Sequence, residues 1–313
     1  MSLSSCYDTK QASPLLEALS RERANDRLAG LQLSNIEGVC LHSFPLLTGA
    51  DSGHAGNDIK IRKSCRRGQR ETTREIVWHI QGVITNLDLP PFYPRERSKY
   101  KARFLRQGLR LSGLGTSTFD AAMNGLTEVA TAFSRTVTSM QPVSFVDADE
   151  NGLFLDAANR YFSTRQDSRG GKEMHMDDSI DPTGALTKMV NDTHYYGEEN
   201  VVEYLDQTHL TQSGRKSAVA IQPVTFKKGD VVEVQITLSA VTMHKNEWKL
   251  VATLRCVTLL DSRFGQVSFS RHSMNAPAKV LKRRCGADPE DDNELMELTT
   301  NKIRKMEIVK AGE

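Results

Sequence analysis

The clearest pattern in the chain is an alternation of apolar and polar positions from Val231 to Met243. Val232, Val234, Ile236, Leu238 and Ala240 fall on one face, and Glu233, Gln235, Thr237 and Ser239 on the other. A period of two residues is that of a half-buried strand. The polar stretch His244-Lys245-Asn246-Glu247 separates it from a second alternating run, Trp248 to Asp261, in which Trp248, Leu250, Ala252, Leu254, Cys256 and Leu260 share a face. Together they predict a long antiparallel hairpin. Phe226-Lys227-Lys228-Gly229-Asp230 supplies a tight turn before it, and Val267 to Phe269 a further strand after it.

Helical spacing occurs in three places. Phe119, Met123, Leu126, Ala130, Phe133, Val137 and Met140 repeat every three or four residues behind Thr118 as cap. Ser13-Pro14 opens a second helix, followed by Leu15, Leu16, Leu19, Leu28 and Leu31, and Asp288-Pro289 opens a third, with acids early and Lys302, Arg304 and Lys305 late, matching the helix dipole. Short apolar runs after Pro142 read as strands through Phe162, and Pro90, Pro91 and Pro94 force a change of direction.

These elements predict an α+β fold: an N-terminal helical and basic region, then a C-terminal antiparallel β meander or small barrel with a terminal helix. The divisions expected are a helical segment over 1–47, a basic linker or arm over 48–74, a basic and helical region over 75–141, the β domain over 142–287 and the last helix over 288–313. The Phe-x-x-Gly-Asp-x-Val approach to the hairpin is shared with small barrels, an OB-like one among them.

Charge changes this picture more than composition does. The net charge is +2, but residues 60–110 hold fourteen Lys and Arg against four acids, and the rest of the chain holds 27 basic and 35 acidic residues. Such a basic band attracts polyanions. Its members Lys60, Arg62, Lys63, Arg66, Arg67, Arg70, Arg95, Arg97, Lys99, Lys101, Arg103 and Arg106 are candidate phosphate contacts. Trp78, Phe92, Tyr93, Tyr100 and Phe104 interleave it and suit stacking on unpaired bases. Lys245, Trp248, Lys249 and Arg255 form a second candidate surface on the hairpin, with Trp248 in phase with the buried face, and Lys279 with Lys282-Arg283-Arg284 has the composition of a nuclear-import signal.

Five scattered cysteines without a C-x-x-C pair argue against a disulfide framework and a zinc knuckle. The first twenty residues lack the basic and apolar regions of a secretory signal, and no apolar run is long enough to cross a bilayer, so an intracellular protein of nucleus or cytoplasm is expected.

Asp181-Pro182-Thr183-Gly184-Ala185-Leu186, Gly197 to Tyr204, Phe226 to Gln235 and Leu254 to Asp261 resemble a lineage-restricted, multi-copy family of proteins from mushroom-forming (basidiomycete) fungi. The resemblance covers the C-terminal part of the chain and implies strands and turns; it carries no activity.

Three functions compete at this level. A non-enzymatic protein binding DNA or RNA would use the basic band for phosphates and the β domain as a platform. An Fe(II) and 2-oxoglutarate oxygenase would use His175 and Asp177 of an H-x-D step with His244 as metal ligands and Arg255 as the anchor of the 2-oxo acid. A self-associating scaffold would pair the basic band with the acidic remainder. Asp177, Asp178 and Asp181 read as a polar loop, Gly113-Leu114-Gly115 as a helix-approach loop, and no nucleophile elbow is present.

Overall fold

The computed structural model describes residues 7–25, 31–38, 46–48, 59–67, 70–94, 101–137, 139–166, 172–208, 217–243 and 247–264. The expected strand at 267–269, the helix from residue 288 and the cluster at 279–284 lie outside them.

In chain order the strands are β1 (Leu31–Gln32), β2 (Leu46–Thr48), β3 (Ile59–Arg67), β4 (Arg70–Glu75), β5 (Trp78–Asp88), β6 (Arg106–Ser112), β7 (Val146–Asp149), β8 (Gly152–Arg160), β9 (Ser163–Thr164), β10 (His194–Tyr195), β11 (Glu203–Asp206), β12 (Val219–Ala220), β13 (Val231–Thr242) and β14 (Trp248–Asp261). Helix α1 (Thr9–Asn25) precedes them and α2 (Ser117–Thr136) lies between β6 and β7.

Five strands close on themselves. β5 pairs with β6, β6 with β8, β8 with β14, β14 with β13 and β13 again with β5. Every pairing is antiparallel except β8 with β14. Counted along the barrel strands alone, the order is first, second, third, fifth, fourth and back to first. That is a closed five-stranded Greek-key barrel of the OB type, within an α+β fold.

The barrel draws strands from both sides of residue 141, so the sheet does not break at the expected junction of 75–141 with 142–287. The former region holds two long strands besides its helix.

The inside is apolar because alternate residues of all five strands point inward: Ile80, Ile84, Leu109, Leu111, Leu155, Val234, Ile236, Leu250 and Leu254 join one core cluster. Helix α2 adds Phe119, Met123, Leu126, Val129 and Phe133 to it. It runs close to the turn of 3-10 helix at Leu33–Gly38, and a Cβ at Gly125 would stand 2.0 Å from the Leu33 carbonyl oxygen, so only glycine fits this crossing.

Helix α1 covers the outer side of β5 and β13. Tyr7, Ala12 and Leu16 pack on Val83 and Val231, and the Tyr7 hydroxyl donates to the Gly229 carbonyl at 2.9 Å. Beyond this apolar patch the covered face turns polar. Glu233, 4% exposed, accepts from Gln81 Nε2 at 2.7 Å, meets His79 Nδ1 at 3.2 Å and lies 3.6 Å from Arg23. Burial raises its pKa, but the His79 hydrogen bond and the Arg23 charge outweigh that and hold the carboxyl below its ordinary value. Glu17 of α1 accepts from the backbone N–H and hydroxyl of Thr118, tying the start of α2 to α1.

Several local expectations shift. Helix α1 starts at Thr9, with Pro14 inside its first turns, and Leu31 belongs to a strand. The segment expected as a basic linker or arm over 48–74 instead contributes β3 and β4, paired antiparallel from Arg62 with Glu75 to Arg67 with Arg70. The backbone pairing of β3 with β4, and of Ile59 and Lys60 with Ala240 and Ser239 of β13, is a long-range relation that composition alone does not reveal.

The long hairpin is present, but its buried face changes phase. Leu254 pairs with Ile236 and Cys256 with Gln235, leaving Arg255 as the extra residue of a β-bulge. Val257 and Leu259 consequently join the core in place of Leu260.

Candidate functional site

With α1 over β5 and β13, the outer surface of β6 and β8 forms a separate face. Leu109, Leu111, Leu155 and Ala157 point into the core. The alternating positions Arg106, Gly108 and Arg110 of β6 therefore face outward, opposite Arg160, Ala158 and Asp156 of β8. Gly108 and Ala158 lie between the Arg106–Arg160 and Arg110–Asp156 pairs, and a Cβ at Gly108 would come within 2.7 Å of the Ala157 carbonyl oxygen and of Ala158 Cβ. A glycine inside a strand allows close approach to the backbone.

The arginines of this face divide into two kinds. Arg110 bonds both carboxylate oxygens of Asp156, each at 2.8 Å, and lies 3.8 Å above the Phe154 ring centre. Arg106 faces Arg160 directly, and among the described residues neither guanidinium has a carboxylate partner. Burial, and then the charge of Arg160, lower the pKa of Arg106. An arginine stays protonated through such a shift, so two cations stand side by side. An anion between them relieves their repulsion and satisfies their donors.

The connection from β5 to β6 borders this face. Its inner residues, Phe92, Ala102 and Leu105, pack in a small cluster with Tyr161, Phe162, Met176, Leu186 and Tyr196. Phe92 N–H donates to the Ile180 carbonyl and Tyr161 N–H to the Leu105 carbonyl. Fixed at its base, the connection exposes Tyr93 by 63% and Phe104 by 62%, with Arg103 4.4 Å over the Phe104 ring centre and Lys101 also exposed. Large apolar rings left in water beside cations that have no carboxylate partner among the described residues are the equipment for stacking on a base while holding its phosphate.

Of the basic candidates, the structure brings Lys101, Arg103 and Arg106 to this face or its border. Lys60, Arg62, Lys63, Arg66, Arg67 and Arg70 stand on β3 and β4, and Arg95, Arg97 and Lys99 lie outside the described residues. Arg160 completes the site and was missed, because it sits alone in sequence outside the basic band; only the β6–β8 register places it opposite Arg106. On the hairpin, Trp248 is partly buried against the core, and Lys245 lies outside the described residues.

Of the oxygenase set, His175, Asp177 and Arg255 lie among the described residues. His175 and Asp177 are exposed on a loop, and the Asp177 carboxylate accepts the Ser179 backbone N–H at 2.8 Å. That hydrogen bond holds its pKa below the ordinary value. His244 lies outside the described residues. Arg255, held at its bulge, bonds Thr237 Oγ1 at 3.1 Å, the Glu199 carbonyl at 2.8 Å and Glu75 at 3.3 Å, so it is not a free anchor for a 2-oxo acid. The strands form an OB-type barrel in place of the double-stranded β-helix that the set requires. Among the described residues no three His, Cys, Asp or Glu side chains gather as metal ligands. Asp181, grouped by sequence with Asp177 and Asp178, accepts from Thr187 N–H and hydroxyl as a turn residue. Cys256 is buried, which pushes its thiol up to about 11 and leaves it unsuited to act as a nucleophile.

No described helix is long and apolar enough to cross a membrane. No family model and no curated protein matches the chain. Among solved structures it is similar to the single-stranded DNA-binding protein of bacteriophage Enc34, C-terminally truncated, at 10% identity over 66% of this chain and 90% of that one, with a TM-score of 0.33. The Enc34 protein in complex with single-stranded DNA matches at 9% identity, covering 64% and 95% of the two chains, with a TM-score of 0.31. The gp2.5 single-stranded DNA-binding protein of bacteriophage T7 matches at 12% identity, covering 68% and 98%, with a TM-score of 0.31. The barrel assignment rests on the strand order itself.

Proposed function

We propose that this protein is a non-enzymatic nucleic-acid-binding protein that takes single strands across the outer face of β6 and β8. The observation that carries this reading is the juxtaposition of Arg106 and Arg160 without a carboxylate partner among the described residues, bordered by the exposed rings of Tyr93 and Phe104. Each guanidinium takes a phosphate oxygen and each ring a base. This arrangement favours single strands over duplex, because paired bases do not present their faces to a protein surface. The face offers no dense donor code for base edges, so recognition is tolerant of sequence.

Fluorescence anisotropy of labelled single- and double-stranded oligonucleotides, titrated with nuclease-treated protein at several salt concentrations, tests the reading. The expected result is tighter binding to single strands, with log K falling linearly against log salt. Equal or tighter binding to duplex would remove the stacking role, and absence of binding at low salt would remove the function.

A further inference from the structure

The outer face of β6 and β8 is charged unequally along its length. At one end Arg106 faces Arg160, and toward the other Arg110 faces Asp156. Strand β7 adds to this second end. Val146 of β7 pairs with Leu155, a core residue, so Asp147, opposite Phe154, and Asp149, opposite Gly152, project on the outer side with Asp156. Both are exposed. The Asp156 hydrogen bond, and then the charges of Asp156, Asp149 and Asp147, raise the pKa of Arg110 against the effect of burial, so three carboxylates act on one guanidinium. This end of the face is acidic.

The separation of the two ends follows from strand geometry. On β8, Asp156 lies four residues before Arg160, and Phe154, which faces Asp147, lies two residues farther. At about 3.3 Å per residue, acids begin ~13 Å from the arginine pair and continue to ~20 Å. The second backbone of a B-form duplex runs beyond a groove about 12 Å wide, or about 6 Å on the minor side, with the width of the backbones added. A duplex whose first backbone lies on Arg106 and Arg160 therefore sets its second over Arg110, Asp156 and Asp147, where acids outnumber the cation. On the other side of the arginine pair, the exposed rings of Tyr93 and Phe104 occupy the border and suit unpaired bases rather than a second backbone. A single strand satisfies the cationic end without approaching the acids.

We infer that Asp147 and Asp149, together with Asp156, are specificity-determining residues that reject duplex by repelling its second backbone. The inference rests on the function proposed above and adds a device independent of stacking: the rings favour a single strand, and the acids disfavour a double one. Like charges brought together across an interface suppress the wrong partner.

The test titrates the full chain and the variant Asp147→Asn with Asp149→Asn by anisotropy, using labelled single- and double-stranded oligonucleotides of equal length at about 0.15 M salt, where screening acts over about 8 Å. Asparagine keeps the acceptors that the Ala148 and Asn151 N–H groups use, each at 2.8 Å, so the turn between β7 and β8 holds. The expected result is a duplex affinity raised about fivefold, with single-strand affinity changed less than about twofold. A control, Glu22→Gln with Glu128→Gln, removes the same charge from exposed positions of α1 and α2 and should leave the ratio of the two affinities as in wild type. Unchanged duplex affinity, an equal gain for both strand forms, or the same gain in the control would overturn the inference while leaving single-strand binding in place. If the wild-type protein does not bind single strands at low salt, the proposed function itself fails and the inference with it.

Discussion

Arg110 bonds both carboxylate oxygens of Asp156 at 2.8 Å, across the same strand pair on which Arg106 and Arg160 oppose each other without an acid among the described residues. One pair of positions is neutralised and the other is not, four residues apart on β6. The Arg110–Asp156 pair is more than a third exposed, so it contributes little to stability, about 0–1 kcal/mol. Its main effect on the face is to cancel a charge. Asp156→Asn is therefore expected to leave the urea midpoint nearly unchanged and to tighten single-strand binding about twofold to fivefold at low salt, an effect that fades as salt screens it. Weaker binding in this variant would show that Asp156 positions Arg110 for contact.

Tyr93 and Phe104 make a prediction about energy rather than charge. Each is more than 60% exposed, so replacement by alanine removes little core. Loss of one stacked base at each is expected to cost about 1–3 kcal/mol of binding in anisotropy titrations, with the salt slope unchanged. A changed slope with unchanged low-salt affinity would point to displaced cations instead.

Asp230, in the turn before β13, gives a pH dependence. Burial raises its carboxyl to about 6, against an ordinary 3.8, despite the Lys227 N–H that its Oδ2 accepts at 2.8 Å. The folded state therefore holds the proton more tightly than the unfolded chain. The resulting stability is complete below about pH 4 and is lost as pH rises through about 6. Asp230→Asn keeps the acceptor and cannot ionise, so its melting temperature relative to wild type is expected to rise by a few degrees from pH 4 to pH 7. A difference constant with pH would contradict this.

Gly125 tests the seat of α2. With the Leu33 carbonyl 2.0 Å from where a Cβ would stand, Gly125→Ala must push the helix from the 3-10 turn. The expected loss is about 1–3 kcal/mol in urea unfolding, although alanine favours helix, and an unchanged or raised midpoint would mean that the crossing gives way freely.

Much of this fold is legible in the chain because burial writes a period. The alternation over Val231–Asp261 marks its hairpin, and the spacing from Phe119 to Phe133 marks α2. What local reading misses is set by partners distant in sequence. The bulge at Arg255 moves the core-facing phase to Val257 and Leu259, while Cys256 stays buried outside that core cluster, and nothing local announces it. Residues 59–75 look like a solvated arm because their strands are recognised only through backbone pairing with each other and with the distant β13. The site divides in the same way. Arg106 is visible as part of a basic band, whereas Arg160 is an isolated residue 54 positions away that becomes significant only once β6 and β8 are paired.

The most direct measurement is single-strand anisotropy titration of Arg106→Gln with Arg160→Gln, alongside urea unfolding to confirm that the double variant folds. Removal of two cations that lack a carboxylate partner among the described residues relieves their repulsion, so stability should hold or rise. Binding should weaken about tenfold or more, with a salt slope shallower by about 1.4. A folded double variant that binds as tightly as wild type, with the same slope, would contradict the assignment of the β6–β8 face.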